Sequence, residues 1–246
     1  DTLIHEAGDM TSEKTSDKSS FLMILIITFS RLAPNMGRRV LYPFVPALSR
    51  LLGVPVNDVQ TVIALQGGTG LFSPIVAPLT SHYGRKRVML GALGLFIFAG
   101  TMGAIIALTF LLFGASKMIY DPAFQAYLSD KIPYEKRAQA FGITELSWAG
   151  ALVIGAPLGG LLLENVGLSA VFGMMLVFAI IGFILVAFLL PSDIPDKSNG
   201  ERKPIHWRAL LEHPQAFGAL MFVTLIIIAN EMFFINYGLW MEQHFN

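Results

Sequence analysis

Residues 88–129, VMLGALGLFIFAGTMGAIIALTFLLFGASKMIYDPAFQAYLS, decide the fold of this chain. Only two of these 42 residues, Lys117 and Asp121, are charged. An α-helix needs about 20 residues to cross the roughly 30 Å hydrocarbon core of a bilayer. The stretch is therefore too long for one membrane-spanning helix and has the right length for two. We expect the hairpin between them near residues 107–109, where Thr109 is the polar residue.

Five further apolar segments of similar length follow the same pattern along the chain. The composition is 54% hydrophobic and only 14% charged, whereas soluble domains carry about 25% charged residues. In lipid each backbone polar group must be bonded within its own segment, so these segments are helices. The predicted fold class is all-α, a polytopic helical membrane protein with seven spans. We number spans 1 to 7 in chain order: 21–45, 61–80, 88–108, 109–129, 139–163, 169–190 and 216–240.

Charge and residue types argue against several classes of protein. The 17 basic and 17 acidic residues cancel, so nothing in the balance favours a nucleic-acid partner. The chain has no cysteine, and none of its five histidines falls within a predicted span. We therefore expect neither a metal site nor a cofactor, and an embedded enzyme is an alternative without an identified catalytic set.

Lys and Arg in the loops set the predicted orientation. With the N-terminus in the cytoplasm, only Arg50 falls in an outer loop, and four cations lie inside spans. A seven-span receptor, whose N-terminus is normally outside, is disfavoured by this bias. The other twelve cations are cytoplasmic: Lys14, Lys18, Arg85, Lys86, Arg87, Lys131, Lys136, Arg137, Lys197, Arg202, Lys203 and Arg208. We expect a multi-pass protein of the plasma or inner membrane.

Polar segments divide the chain. Residues 1–20 are predicted to be a disordered cytoplasmic tail, with Met10 as a natural start. Residues 191–215 contain PSDIPDKSNGERKP and are predicted to be a cytoplasmic linker. Because a further span follows this linker, we expect the chain to be a fragment of a longer protein; a half-length protein that dimerises is the alternative.

The loop between spans 2 and 3, residues 77–87, reads APLTSHYGRKR. It resembles the signature loop of the major facilitator superfamily of transporters, with matches at Leu79, Gly84, Arg85 and Lys86. Three positions depart from that pattern: Ala77, Ser81 and His82. Residues 128–138, LSDKIPYEKRA, are similar to the family's second cytoplasmic loop.

The resemblance implies an architecture and a mechanism. Residues 21–190 would form a six-helix bundle of two three-helix repeats, spans 1–3 and 4–6. Residues 216–246 would be the first span of a second six-helix half, and the other spans of that half are not part of this chain. A small-molecule substrate would bind near the midplane, between the two halves, and cross by alternating access.

The same resemblance suggests a gate at the cytoplasmic end. Gly84 permits a tight turn, and the family pattern implies an ion pair between Arg85 and an acid at the inner end of span 4, for which Asp130 fits. Lys86 and Arg87 are interpreted mainly as topology determinants.

Span 5 is rich in small residues, in a pattern similar to that of the family's antiporter subgroup. Such residues allow close helix packing in lipid, and a proline can kink a helix. Packing alone is the favoured interpretation, and a role in export is the alternative. The residues are Gly150, Gly155, Pro157, Gly159 and Gly160.

Charges inside the spans are the best functional clue, because an ionisable side chain near the bilayer centre costs at least about 2.5 kcal/mol. On a helical wheel Arg31, Asn35, Arg38 and Tyr42 of span 1 share one face, and we expect them to bind substrate. Arg39 falls off this face. Arg31 is near the midplane, whereas snorkelling to the outer headgroups is an equal alternative for Arg38 and Arg39.

Spans 4 and 5 add three ionisable residues. Lys117, a further substrate-binding candidate, and Asp121 are four residues apart and can pair. Asp121 and Glu145 are the predicted proton-coupling groups, and Pro122 is expected to loosen the turn at Asp121. A static network that fixes helix packing is the alternative to a substrate cavity, and a pair with Asp121 or Glu145 is the alternative role for Arg31.

Taken together, these patterns predict a secondary active transporter of the proton-coupled drug or metabolite efflux type, in which H⁺ is the coupling ion. Uptake of an organic anion is the alternative, favoured by three arginines in span 1.

Overall fold

The computed structural model describes residues 18–72, 80, 82–101, 106–193 and 214–245. Every regular element in these ranges is helical and none is a strand, so the all-α fold class is confirmed. Four helices in the described ranges are long and apolar enough to cross a bilayer, and they correspond to spans 1, 5, 6 and 7. These helices are Lys18–Leu52, Tyr134–Asn165, Leu168–Leu189 and Phe217–Phe245.

Spans 2 to 4 are also helical in their described parts. Span 2 contains the helix Val56–Gly68 and the 3-10 turn Thr69–Phe72, span 3 is Arg85–Thr101, and span 4 is Ile106–Lys131. The predicted hairpin near residues 107–109 is wrong, since these residues lie inside span 4. One Thr does not end a helix, because its hydroxyl can bond a carbonyl of the preceding turn.

Prolines explain the irregularity of span 1. Its first helix, 18–30, is separated by a turn at Arg31 from a second helix, Leu32–Arg39. Pro34 has no N–H for the carbonyl of Ser30, and its ring crowds that carbonyl. The span continues through the 3-10 turn Tyr42–Phe44 and the helix Val45–Leu52. Arg31 therefore lies at an interruption of the helix.

Span 5 changes helix type before its proline. The α-helix Tyr134–Gly150 passes through a π-helical turn, Ala151–Gly155, into the α-helix Ala156–Asn165. Such π turns absorb local mismatch in the hydrogen-bond ladder, and Pro157 supplies that mismatch because it has no N–H. Span 4 behaves differently, since it runs through Pro122 as one helix, and the predicted loosening does not break it.

Spans 6 and 7 complete the described chain as the helices Leu168–Leu189 and Pro214–Phe245. Span 3 packs along spans 4 and 6, span 2 packs on span 4, and span 5 packs on span 1. Span 7 packs mainly against the end of span 1 and against span 2, and its Phe234 meets Trp148 of span 5 edge to face.

Two apolar clusters form the core, and a polar layer separates them along each central helix. In span 1 one cluster takes residues up to Ile27 and the other begins at Ala33. In span 4 one cluster ends at Phe113 and the other begins at Tyr120. The residues left between the clusters include Ser30, Arg31 and Ser116, all buried. The fold thus creates a polar site at mid-height of the bundle.

Several predicted features lie outside the described residues. They are residues 1–17 of the predicted tail 1–20, residues 194–213 of the predicted linker 191–215, and Ala77, Leu79 and Ser81 of the signature loop. Residues 18–20, placed in the tail by the sequence, are helical.

Candidate functional site

The break in span 1 presents Arg31 to spans 4 and 5. Its Nε lies 3.2 Å from Oδ1 of Asp121, and its Nη1 lies 2.6 Å from Oε1 of Glu145. Nη1 also donates to the carbonyl of Thr144 at 3.3 Å, and the guanidinium lies 4.4 Å from the centre of the Phe124 ring. Only 7% of the Arg31 side chain is exposed. Its charge is therefore balanced inside the protein by two acids.

Lys117 extends this arrangement toward span 1. Its Nζ donates to Oδ2 of Asp121 at 2.8 Å and to Oδ1 of Asn35 at 2.7 Å. Asn35 in turn donates to Oγ of Ser147 at 2.9 Å. We call Arg31, Asn35, Lys117, Asp121 and Glu145 the central network. Its two cations and two carboxylates cancel when all are ionised.

The alternative that the sequence left open for Arg31, a pair with Asp121 or Glu145, is the arrangement present here. An ion in a low-dielectric interior is tolerated only when it is paired and hydrogen-bonded. A substrate-binding role for Arg31, Asn35 and Lys117 stays a prediction, as does a proton-coupling role for Asp121 and Glu145. Sequence reasoning missed Ser147, although a polar residue at one helical turn from Thr144 on span 5 was a usable signal.

A second polar cluster joins span 1 to span 7, and we call it the outer cluster: Arg38, Arg39, Tyr42 and Glu231. Oε1 of Glu231 lies 3.2 Å from Nη2 of Arg38 and 3.0 Å from Nη2 of Arg39. The hydroxyl of Tyr42 donates to Oε2 at 2.6 Å. Both oxygens of the single carboxylate are thus committed.

The outer cluster corrects the prediction for Arg39. The helical wheel set this residue apart from Arg38, and both were given snorkelling to the headgroups as an equal alternative. Instead Arg39 is buried, and its guanidinium lies 5.0 to 5.3 Å from the ring centres of Tyr42, Trp148 and Phe234. Arg39 keeps the separate direction that the wheel gave it, but the carboxylate of Glu231 on span 7 pairs with both arginines, which a wheel of one helix does not include.

A cavity of about 220 Å³ lies between spans 1, 2 and 4. Its charged lining residues are Arg38, Lys117 and Asp121. Spans 2 and 4 approach closely at its edge, since a Cβ on Gly114 would lie 2.7 Å from the carbonyl oxygen of Gln66. The cavity therefore touches both the central network and the outer cluster.

The end of the bundle that lies opposite the outer cluster is basic and carries the predicted gate. Gly84 adopts a φ of +84°, in the region that favours glycine, as a tight turn into span 3 requires. Arg85 forms an ion pair with Asp130 and donates to the carbonyl of Ala126 at 2.8 Å. The pair implied by the resemblance is present, and its action as a gate stays a prediction.

Asp193 and Lys86 form a further link at the basic end that the sequence did not indicate. The carboxylate of Asp193 accepts from the backbone N–H groups of Arg85 and Lys86, at the start of span 3. The ammonium of Lys86 donates to the carbonyls of Ala187 and Leu190, at the end of span 6. Each side chain meets the helix terminus of opposite partial charge. Lys86 is thus more than a topology determinant.

The small residues of span 5 pack against one side of span 1. A Cβ on Gly155 would lie 3.0 Å from Met36 and Val40, and one on Gly159 would lie 2.8 Å from Val40. Gly150 faces Leu32 and Gly160 faces Phe44 in the same way. Pro157 lies between them in the second α-helix of the span. This geometry supports the packing interpretation, and a role in export stays a prediction.

The comparison with family models decides the identity of the fold. The model described as Major Facilitator Superfamily matches residues 26–246. The chain belongs to the Major Facilitator Superfamily. This is a family of membrane transporters rather than enzymes, which agrees with the resemblance of the signature loop.

Individual relatives are distant. A protein named "Probable sugar efflux transporter" from Mannheimia succiniciproducens is 24% identical over 236 residues, which cover 90% of this chain and 57% of that protein. The multidrug resistance protein MdtG of Dickeya zeae is 30% identical over 169 residues, which cover 65% of this chain and 41% of MdtG. The chain thus spans about half the length of these curated relatives.

Among solved structures, the crystal structure of the POT family transporter PepTSo shares the fold. It matches with a TM-score of 0.61 and 15% identity, over 71% of this chain and 39% of PepTSo. At this identity the likeness concerns the helical fold alone.

Proposed function

We propose that this chain provides the substrate-binding bundle of a proton-coupled secondary transporter that works by alternating access and exports a small molecule. The central network carries the proposal. Asp121 is shared by Arg31 and Lys117 at 3.2 and 2.8 Å, and it lines the cavity between spans 1, 2 and 4.

A proton on Asp121 would weaken both of these attractions. Arg31 belongs to span 1 and Lys117 to span 4, so the change in charge acts on two helices that line the cavity. Glu145 binds the same arginine, and 58% of its side chain is exposed, so the network includes a carboxylate that is not enclosed by the described residues. Protonation and helix movement are linked in this way by differential interaction with two states.

The basic end supplies the other element of the proposal. The Arg85–Asp130 pair ties span 3 to span 4 there, and the bias of Lys and Arg supports a cytoplasmic position for this end in a plasma or inner membrane. A second six-helix half, implied by the family resemblance, would close the cavity from the other side. The export direction is supported by the names of the sugar efflux and multidrug resistance relatives.

The test uses everted membrane vesicles that contain the complete transporter and generate an acidic lumen. Three labelled compounds are offered: a neutral sugar, an aromatic carboxylate and a cationic dye. We expect one of them to accumulate, and a protonophore or Asp121→Asn to abolish accumulation, while Glu242→Gln has no effect. Accumulation that survives the protonophore would refute proton coupling, and accumulation of none would refute export.

Uptake of an organic anion is the second candidate, and the outer cluster favours it. Two arginines share one carboxylate there, which leaves an excess of positive charge beside the cavity. A proton on Asp121 would increase that excess, so a proton and an anion would strengthen each other's binding. Accumulation in right-side-out vesicles, with none in everted vesicles, would select uptake.

A further inference from the structure

Arg38 carries a positive charge that the described part of the chain does not balance. Glu231 lies within 3.0 Å of Arg39 and 3.2 Å of Arg38 through the same oxygen, Oε1, and its other oxygen accepts from Tyr42. One carboxylate neutralises one guanidinium. Arg39, which is also enclosed by three aromatic rings, needs it as much as Arg38 does.

The guanidinium groups of the outer cluster also have more hydrogen-bond donors than the described residues satisfy. Three buried guanidinium nitrogens lack a hydrogen-bond partner among the described residues: Nε of Arg38, and Nε and Nη1 of Arg39. A buried donor without a partner loses its hydration without compensation, which is costly and uncommon. The central network contrasts with this arrangement, because its two cations meet two carboxylates.

Arg38, whose charge is not balanced by a carboxylate of its own, borders the cavity. Arg38 lines it together with Lys117 and Asp121, while Arg39 does not. Asp121 is already shared by Lys117 and Arg31, so the lining is net positive. Gln66 and Thr69 add neutral polar groups, and Met118 and Pro122 add apolar surface.

We propose that the substrate is a small organic anion, and that Arg38, assisted by Lys117, binds its carboxylate or phosphate group. This rests on the transport function proposed above and favours its second candidate, uptake of an organic anion. An arginine fork suits the planar or tetrahedral oxygens of such groups. A neutral substrate would leave Arg38 unbalanced, and a cationic one would add a further positive charge. The part of the site formed by the described residues has a volume of about 220 Å³, and the second half would complete it.

The probes are four aromatic compounds of similar size and different charge: benzoate, phenyl phosphate, benzamide and benzamidine. Each is titrated against the complete transporter in nanodiscs, and ligand-induced thermal stabilisation gives the apparent Kd. We expect benzoate or phenyl phosphate to bind at least about tenfold more tightly than neutral benzamide, and cationic benzamidine to bind least. A response to benzoate alone indicates a carboxylate substrate, and a response to phenyl phosphate alone indicates a phosphate.

Two variants assign the binding to Arg38. Arg38→Gln should weaken the anion by about tenfold or more, and Arg38→Lys should retain part of the affinity because it keeps the charge but loses the fork. Arg38→Gln leaves Glu231 paired with Arg39, so no carboxylate is orphaned and the variant should fold. Arg50→Gln is the matched control, since its ion pair with Glu242 is remote and its side chain is 66% exposed.

Three results would each overturn the anion assignment. Benzamide or benzamidine could bind as tightly as the anions, no probe could bind, or the Arg38→Gln variant could bind benzoate like the unmodified protein. The vesicle assay separates this result from the transport proposal. Proton-dependent accumulation of the cationic dye upholds proton-coupled transport and overturns the anion subsite. Benzoate binding through Arg38 without proton-dependent transport upholds the subsite and overturns the coupling.

Discussion

Arg31 meets two carboxylates at the point where span 1 is interrupted. At the scale of single residues this pairing explains how a cation is tolerated at mid-height of the bundle, since the alternative is an ion in lipid. The two acids are not equivalent. Asp121 has a second cation, Lys117, at 2.8 Å, whereas Arg31 is the cation paired with Glu145 among the described residues.

The first prediction concerns this pairing. Arg31→Gln should lower the free energy of unfolding by about 3 kcal/mol, because removal of one partner leaves the other charge in a poorly hydrated site. We place the loss at the low end of the usual range because Asp121 keeps Lys117 and Glu145 is more than half exposed. Thermal unfolding of the purified complete transporter measures the effect.

A double-mutant cycle provides the control for this prediction. Arg31→Gln combined with Glu145→Gln should cost less than the sum of the two single changes. Glu242→Gln, at the exposed pair with Arg50, should change the free energy of unfolding by less than about 1 kcal/mol. Strict additivity would show that Arg31 and Glu145 are not coupled in the membrane.

At the scale of the elements, close contacts between helices hold the bundle together. Span 5 approaches span 1 through glycines, and span 6 does so at Gly182, where a Cβ would lie 2.9 Å from Cα of Ser30. Helix association in lipid relies on such small residues, because lipid tails offer no hydrophobic gain on helix contact.

A matched pair of glycines in span 5 tests this contact. Gly159→Ala places a methyl group 2.8 Å from Cγ1 of Val40, which is fully buried, so we expect a loss of about 1–3 kcal/mol in the free energy of unfolding. Gly142→Ala has open space around its Cβ and should be neutral or slightly stabilising. Thermal unfolding compares the two, and equal stability would argue against tight packing of spans 1 and 5.

The ion pair at the basic end gives an element-scale prediction for transport. Arg85→Ala and Asp130→Ala should each reduce the transport rate in proteoliposomes, because each breaks the same link between spans 3 and 4. The double variant should be little worse than either single one, since the two residues act as a unit. Transport losses that add fully would show that the pair is not a functional lock.

At the scale of the whole molecule, a polar layer separates two apolar clusters, and ion pairs link spans 3 and 4 at the basic end and spans 1 and 7 in the outer cluster. Movement of the bundle would therefore act through polar contacts that can exchange partners, while each apolar cluster stays packed. This is the arrangement that a change between two states requires.

Topology is the prediction at this scale. These 246 residues contain no cysteine, so single cysteines in place of Ser198 and Asn165 can be labelled without background once any cysteines elsewhere in the complete transporter are replaced. We expect a membrane-impermeant maleimide to label Asn165→Cys from outside intact cells and Ser198→Cys only after the membrane is opened. The reason is the strong bias of Lys and Arg toward the loops on the Ser198 side. Labelling of both from the same side would overturn the arrangement of spans.

The helical membrane fold, the family resemblance and the ionisable residues inside the spans were predictable from the sequence, because apolar segment length and buried charge are local properties that lipid selects strongly. How those charges pair depends on contacts between spans that are far apart along the chain. Glu231 on span 7 and Asp193 after span 6 find partners more than 100 residues away along the chain. The π turn of span 5, the turn at Arg31 and the partner of Arg39 could not be predicted in the same way, because a helical wheel treats one regular helix at a time. Prolines and contacts with other spans remove that regularity.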